Sequence, residues 1–150
     1  MPPSFTLSET FALGGDFTWR LKDSEIRYRG SGEYAHVVNQ RIPANDDRIA
    51  AFKDALDLLD VWSWRNDYDP DDVGFMTEDG SSWTFAASIN DQHCKCGGVN
   101  AYPLFRDTLQ TTLQGGRYAM LRAAMYGCFD IDTYIHIANH QRQRETRTNG

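Results

Sequence analysis

Between residues 4 and 42 the apolar side chains recur at every second position. They group as Phe5/Leu7, Phe11/Leu13, Phe17/Trp19/Leu21, Ile26/Tyr28 and Tyr34/His36/Val38. A period of two places alternate residues on one face of an extended chain, so the pattern predicts antiparallel strands. The segments are separated by Gly14-Gly15, Lys22-Asp23-Ser24 and Gly30-Ser31-Gly32. These are turn residues: glycine reaches positive φ without a Cβ clash, and Asp or Ser can hydrogen-bond its own backbone. A β-meander is expected.

The period then changes. Ile49, Phe52, Leu56 and Leu59 recur at three and four residues, which predicts a helix over 46 to 62 with Asn45 or Asp46 at its N-cap. Asp79-Gly80 turns the chain into an apolar strand at 83 to 89, and a second strand passes through Cys94 to Cys96, with a hairpin turn at Asn90-Asp91. Pro103 suits the first turn of a helix over 103 to 114, which Gly115-Gly116 would end. Tyr118, Leu121 and Met125, then Ile131, Ile135 and Ala138, predict two further helices parted near 127 to 130. The fold class expected is α+β: a meander and a hairpin in one sheet, covered by helices, with an extra C-terminal helical pair. The stretch 141 to 150, QRQRETRTNG, has no apolar anchor and is expected to be a frayed tail after a single domain over 1 to 140.

Size and composition agree with one core: 150 residues, 41% hydrophobic and 13% aromatic, exclude a largely disordered chain. The net charge of -6 is local, because residues 41 to 80 hold eleven acids against four bases. Such a patch favours a basic partner and opposes a phosphate backbone. Three cysteines, two of them in Cys94-Lys95-Cys96, do not suit a disulfide framework. The first fifteen residues lack a basic start and an apolar run, and no stretch approaches the roughly 18 apolar residues of a membrane span, so a cytoplasmic protein is expected.

The phrases Trp62-Ser63-Trp64, Asp79-Gly80-Ser81-Ser82-Trp83 and Gly98-Val99-Asn100-Ala101-Tyr102-Pro103 resemble a pattern in small uncharacterised bacterial α+β proteins. The resemblance covers roughly residues 15 to 113. It implies a sheet covered by helices and brings no catalytic residues with it. Trp64, Tyr68, Asn100 and Tyr102 are the candidates for a ligand pocket beside Gly97-Gly98; the alternative is that these aromatics are simply core.

Two stretches have the composition of metal sites. In DYDPDDVGFMTE, Asp67, Asp69, Asp71 and Glu78 occupy the first, third, fifth and twelfth positions of a calcium loop. Asp72 stands where the sharp turn wants glycine, and a strand pattern follows where a helix is needed. An acidic connector is the reading that fits better. The second set joins His93, Cys94 and Cys96 with His136 and His140, two thiolates and imidazoles that could suit tetrahedral Zn²⁺. Against it, Cys-x-Cys is a poor chelate spacing, and Asp132, His136 and His140 also read as the polar face of a helix.

No nucleophile elbow and no phosphate-cradling glycine loop is present, so no catalytic residue is assigned. Arg27 and Arg29 project from one face of a strand, but a pI near 5.1 lacks the broad basic field of a nucleic-acid binder. The function expected is a non-enzymatic interaction module of inhibitor or immunity type. Asp67, Asp69, Asp71, Asp72 and Glu78 would meet a protein partner with a basic surface. The alternative is a metal- or small-ligand-binding protein, with hydrolysis as an option, built on Cys94, Cys96, His136 and His140. No resident cofactor is expected.

Overall fold

The structure is a computed structural model that describes residues 2–11, 14–68, 81–99, 101–103, 109–110 and 116–149. The protein is α+β. Its main sheet has six antiparallel strands in the order β4-β3-β2-β1-β5-β6. The strands are β1 (Ser4–Phe11), β2 (Gly15–Lys22), β3 (Glu25–Gly30), β4 (Ile42–Pro43), β5 (Ser82–Ile89) and β6 (Gln92–Val99). Phe5/Leu7 and Phe11, two separate groups in the sequence pattern, belong to the single strand β1.

Both tight hairpins form as their turn residues dictate. Asp23 and Ser24 join β2 to β3, and Asn90 and Asp91 join β5 to β6, each with positive φ at both positions. That left-handed pair matches the twist of the flanking strands. Gly14 and Gly15 make the third turn, at φ 112 and 117. A Cβ on Gly15 would stand 2.1 Å from the Ser31 carbonyl oxygen, so this turn requires glycine.

Tyr34/His36/Val38 is not a strand. After β3 the chain folds back through a 3₁₀ turn at Gly32–Tyr34, and the Tyr34 ring packs 5.3 Å from Phe11 and from Phe17. The alternation arose because Tyr34 and Val38 tuck inward from a turn while His36 is exposed.

Helix α1 (Asp46–Leu59) starts at Asn45, whose side chain accepts from the Arg48 amide at 2.9 Å, with Asp46 and Asp47 favourably placed in the first turn. It ends three residues before its expected limit because Asp60 turns left-handed, at φ 53, and returns its amide to the Asp57 and Leu56 carbonyls. Within 103 to 114, where a helix was expected, the described residues belong to a small second sheet. Here β7 (Tyr102–Pro103) pairs with β8 (Leu109–Gln110), and Pro103 serves as a strand residue. The buried Tyr102 ring fixes this start, 5.6 Å from Tyr118 and stacked 6.3 Å from Trp83. Helices α2 (Arg117–Cys128) and α3 (Ile131–Asn149) follow as expected, parted by a left-handed Asp130. The backbone stays helical beyond Gln141 to Asn149, where the sequence suggested a frayed tail. Among the described residues, no helix is long and apolar enough to cross a membrane.

The helices cover one face of the sheet. Phe5, Leu7, Phe17, Trp19, Trp83 and Phe85 point toward them and are buried with Ile49, Phe52 and Leu56 of α1 and Tyr118, Leu121 and Met125 of α2. The other face carries Thr18, Arg20, Arg27, Arg29, Thr84 and Lys95, all exposed or half-exposed.

Candidate functional site

The aromatics named as pocket candidates form a core cluster. Trp64, Tyr68, Tyr102 and Tyr118 surround Trp83 with ring centroids between 4.5 and 6.3 Å. The polar atoms of Trp83 and Tyr102 are used internally: the Trp83 Nε1 donates to the Ala101 carbonyl at 2.7 Å, and the hydroxyls of Tyr102 and Ser81 are 2.9 Å apart. Gly98 sits where this packing is tightest, since a Cβ there would stand 2.3 Å from the Ala101 carbonyl oxygen. Asn100 lies outside the described residues. Trp64, Ser81, Trp83, Gly98, Ala101 and Tyr102 of the quoted phrases thus belong to one packed unit.

The thiols and imidazoles are separated. Cys94 and Cys96 share the helix-covered face of β6, opposite Ala87 and Phe85, and Cys96 is buried, with its thiol directed at the Phe85 carbonyl at 3.5 Å. The hydrogen bond with Cys94 together with burial pushes the Cys96 thiol far up. His93 alternates to the open face and bonds the Ser88 hydroxyl at 2.9 Å, while His136 and His140 are exposed on α3. Among the described residues no three His, Cys, Asp or Glu side chains gather around a metal-sized space. In the acidic stretch, Asp67 is exposed, and Asp69, Asp71, Asp72 and Glu78 lie outside the described residues.

Two constellations were not read from the sequence. One is a buried ion pair. Glu9, 1% exposed, accepts from the Arg122 guanidinium at 2.7 Å across the space between β1 and α2. Its register gives it away in hindsight, since Phe5, Leu7 and Glu9 point to the same face. Tyr118 and Tyr126 lie beside this pair. Burial pushes the phenols of Tyr28, Tyr118 and Tyr126 above their ordinary value of 10.0; nearby Glu9 adds to the rise at Tyr118, and Arg122 partly opposes it at Tyr126. A raised folded value means that the neutral phenol is the form the fold prefers. Its contribution is whole below about pH 10 and is lost as pH climbs through the folded values. The melting temperature is therefore expected to fall steeply above pH 10, and a Tyr118→Phe protein should fall less; thermal scans across pH 8 to 12 check this.

The other constellation is a basic groove on the open face. Arg20 of β2 stands directly opposite Arg27 of β3, and Thr18 opposite Arg29. Together with Arg41, just before β4, they line a depression of about 620 Å³. Glu25 lies 3.3 Å from Arg41 and 3.9 Å from Arg27, whereas Arg20 and Arg29 form no ion pair among the described residues. Like charges directly opposite on neighbouring strands repel, so this arrangement costs stability while the groove is empty and favours an anion that bridges the guanidinium groups.

No known family matches this chain. Neither curated proteins nor solved structures give a significant match.

Proposed function

We propose that the protein is a non-catalytic binding module whose open sheet face takes an acidic protein surface. The observation that supports this most directly is the gathering of Arg20, Arg27, Arg29 and Arg41 around one groove in a chain of net charge -6. Arginine forks bind carboxylates in pairs, and a local basic field on an acidic protein also sets the approach direction of its partner. A protein is favoured over a nucleic acid because the overall negative charge of the chain opposes a polyphosphate. The interaction module expected from the sequence is thus kept. The basic partner expected there rested on the acidic stretch around Asp69 to Glu78, and the groove supports an acidic one.

A fluorescent oligo-aspartate peptide supplies the test. It should bind saturably at low salt and weaken as salt rises. An Arg20→Glu/Arg29→Glu protein should lose at least about tenfold in affinity, two charge reversals each being worth about 1 kcal/mol or more at a desolvated contact. The same variant should melt no lower than the parent, because the Arg20 and Arg27 repulsion is gone. Equal binding by parent and variant would remove the groove from consideration.

A further inference from the structure

We infer, resting on the reading of the basic groove as the site of an acidic partner, that this partner enters as a short extended segment, added as an antiparallel strand to the open edge of β3. The pairing of β3 with β4 stops early. Glu25 stands opposite Pro43 and Ile26 opposite Ile42, and the Ala44 amide donates to the Ser24 carbonyl at 2.9 Å. Facing residues of an antiparallel pair alternate between those that exchange hydrogen bonds and those that do not. Since Ser24 bonds outward, Ile26 and Tyr28 also turn their amides and carbonyls outward, while Glu25, Arg27 and Arg29 turn theirs toward β2. The same register would set Gln40 against Tyr28, but among the described residues no hydrogen bond joins their backbones. The N–H and C=O of Tyr28 are thus an unpaired step of the sheet edge, a template that an added strand completes.

The groove supplies the room and the charge. Its hollow of about 620 Å³ is lined by Tyr28 and Arg29 of the edge and by Val38, Asn39 and Gln40 of the segment that returns toward β4. That volume, and the two residues of β4 already on the edge, limit the guest to a few residues. A guest residue opposite Tyr28 would exchange both hydrogen bonds with it and point its side chain to the same side as the Tyr28 ring, where the buried Val38 offers apolar surface. Its two neighbours would point to the open face. One of them meets Arg29, and the other meets the end where Arg27 and Arg41 share the single carboxylate of Glu25. Opposite charges on facing strands attract, so both neighbours are best as carboxylates. The segment that fits is acid, small apolar residue, acid.

The probe is acetyl-Thr-Glu-Val-Glu-Thr-amide at low salt, followed in ¹H–¹⁵N spectra. It should bind saturably and shift the Tyr28 backbone amide, whose exchange with solvent should slow at saturation. Methylating the valine nitrogen keeps every charge and side chain but removes the N–H that meets the Tyr28 carbonyl, and should weaken binding at least about fivefold. Methylating the nitrogen of the second glutamate should change affinity less than about twofold, because in an antiparallel pair that N–H points away from β3. Equal binding by all three peptides overturns strand addition. The acidic partner of the groove then survives if Arg20→Glu/Arg29→Glu weakens all three, and falls as well if it does not. Failure of these peptides and of oligo-aspartate to bind at all overturns both.

Discussion

Replacing Arg122 with methionine is expected to destabilise the protein by about 2 to 4 kcal/mol. The methionine keeps most of the apolar contact of the arginine stem, so the loss isolates the charge. Glu9 is 1% exposed, and without its guanidinium partner a carboxylate would be held among aromatic rings with nothing to offset its lost hydration. A fully buried pair broken in this way costs more; Arg122, with 31% of its side chain exposed, leaves water a path to the vacated site. Denaturant unfolding at neutral pH measures the effect. One further reading separates a lost charge partner from lost packing. A Glu9→Gln/Arg122→Met protein should regain much of the deficit, because an amide tolerates burial better than an anion. If the double variant is no more stable than Arg122→Met, the pair is not the source of the loss.

The second large effect is expected at Phe52, where alanine should cost about 3 to 5 kcal/mol. Phe52 is the residue by which α1 reaches the centre of the molecule. Its ring lies 5.0 Å from Phe5 on β1, 5.4 Å from Phe129 at the end of α2 and 6.4 Å from Phe85 on β5, and it is fully buried. Truncation leaves a void bounded by three rigid rings on three elements, and none of them can swing in without leaving another gap. Phe52→Leu retains much of the volume and should cost less than about 1.5 kcal/mol. Chemical denaturation of both variants gives the comparison, and an alanine protein as stable as the leucine one would place Phe52 outside the core.

What could be read in the sequence depended on the range of the interaction. The hairpin turns at Asp23-Ser24 and Asn90-Asp91, the cap at Asn45 and the stripe Ile49, Phe52 and Leu56 are decided by neighbours a few residues apart, and they stand where the pattern put them. The failures are tertiary. Tyr34 and Val38 alternate like a strand because a turn tucks them inward, and Pro103 lies in a strand because Tyr102 before it is held against Trp83 and Tyr118. The functional candidates divide in the same way. Arg27 and Arg29 were visible as a pair on one strand, but Arg20 joins them only through the register of β2 against β3, and Arg41 only through the return of the chain toward β4. Glu9 and Arg122 lie 113 positions apart, and no local pattern links them. Conversely, Cys94, Cys96, His136 and His140 had the right chemistry in a list, yet alternation along β6 and the exposure of α3 separate them among the described residues.

The place of β1 in the sheet sets a condition on how the chain acquires its structure. It is an interior strand, with β2 on one side and β5 on the other. The first neighbour follows within a few residues, but the second pairs Thr10 with Ser82 and Ser4 with Ser88, so it arrives only after α1 and the whole acidic stretch have been made. During that interval the far edge of β1 presents open amides and carbonyls along SFTLSETF, an alternating segment well suited to pairing with any extended chain nearby. The carboxylate of Glu9 serves as a temporary guard on that segment: it repels a second copy of itself and is costly to bury until Arg122, still further along, is available. With β2, β3, β4 and α1 between its two strands in the chain, the seam between β1 and β5 is a long-range pairing, the kind at which association between chains competes with correct folding.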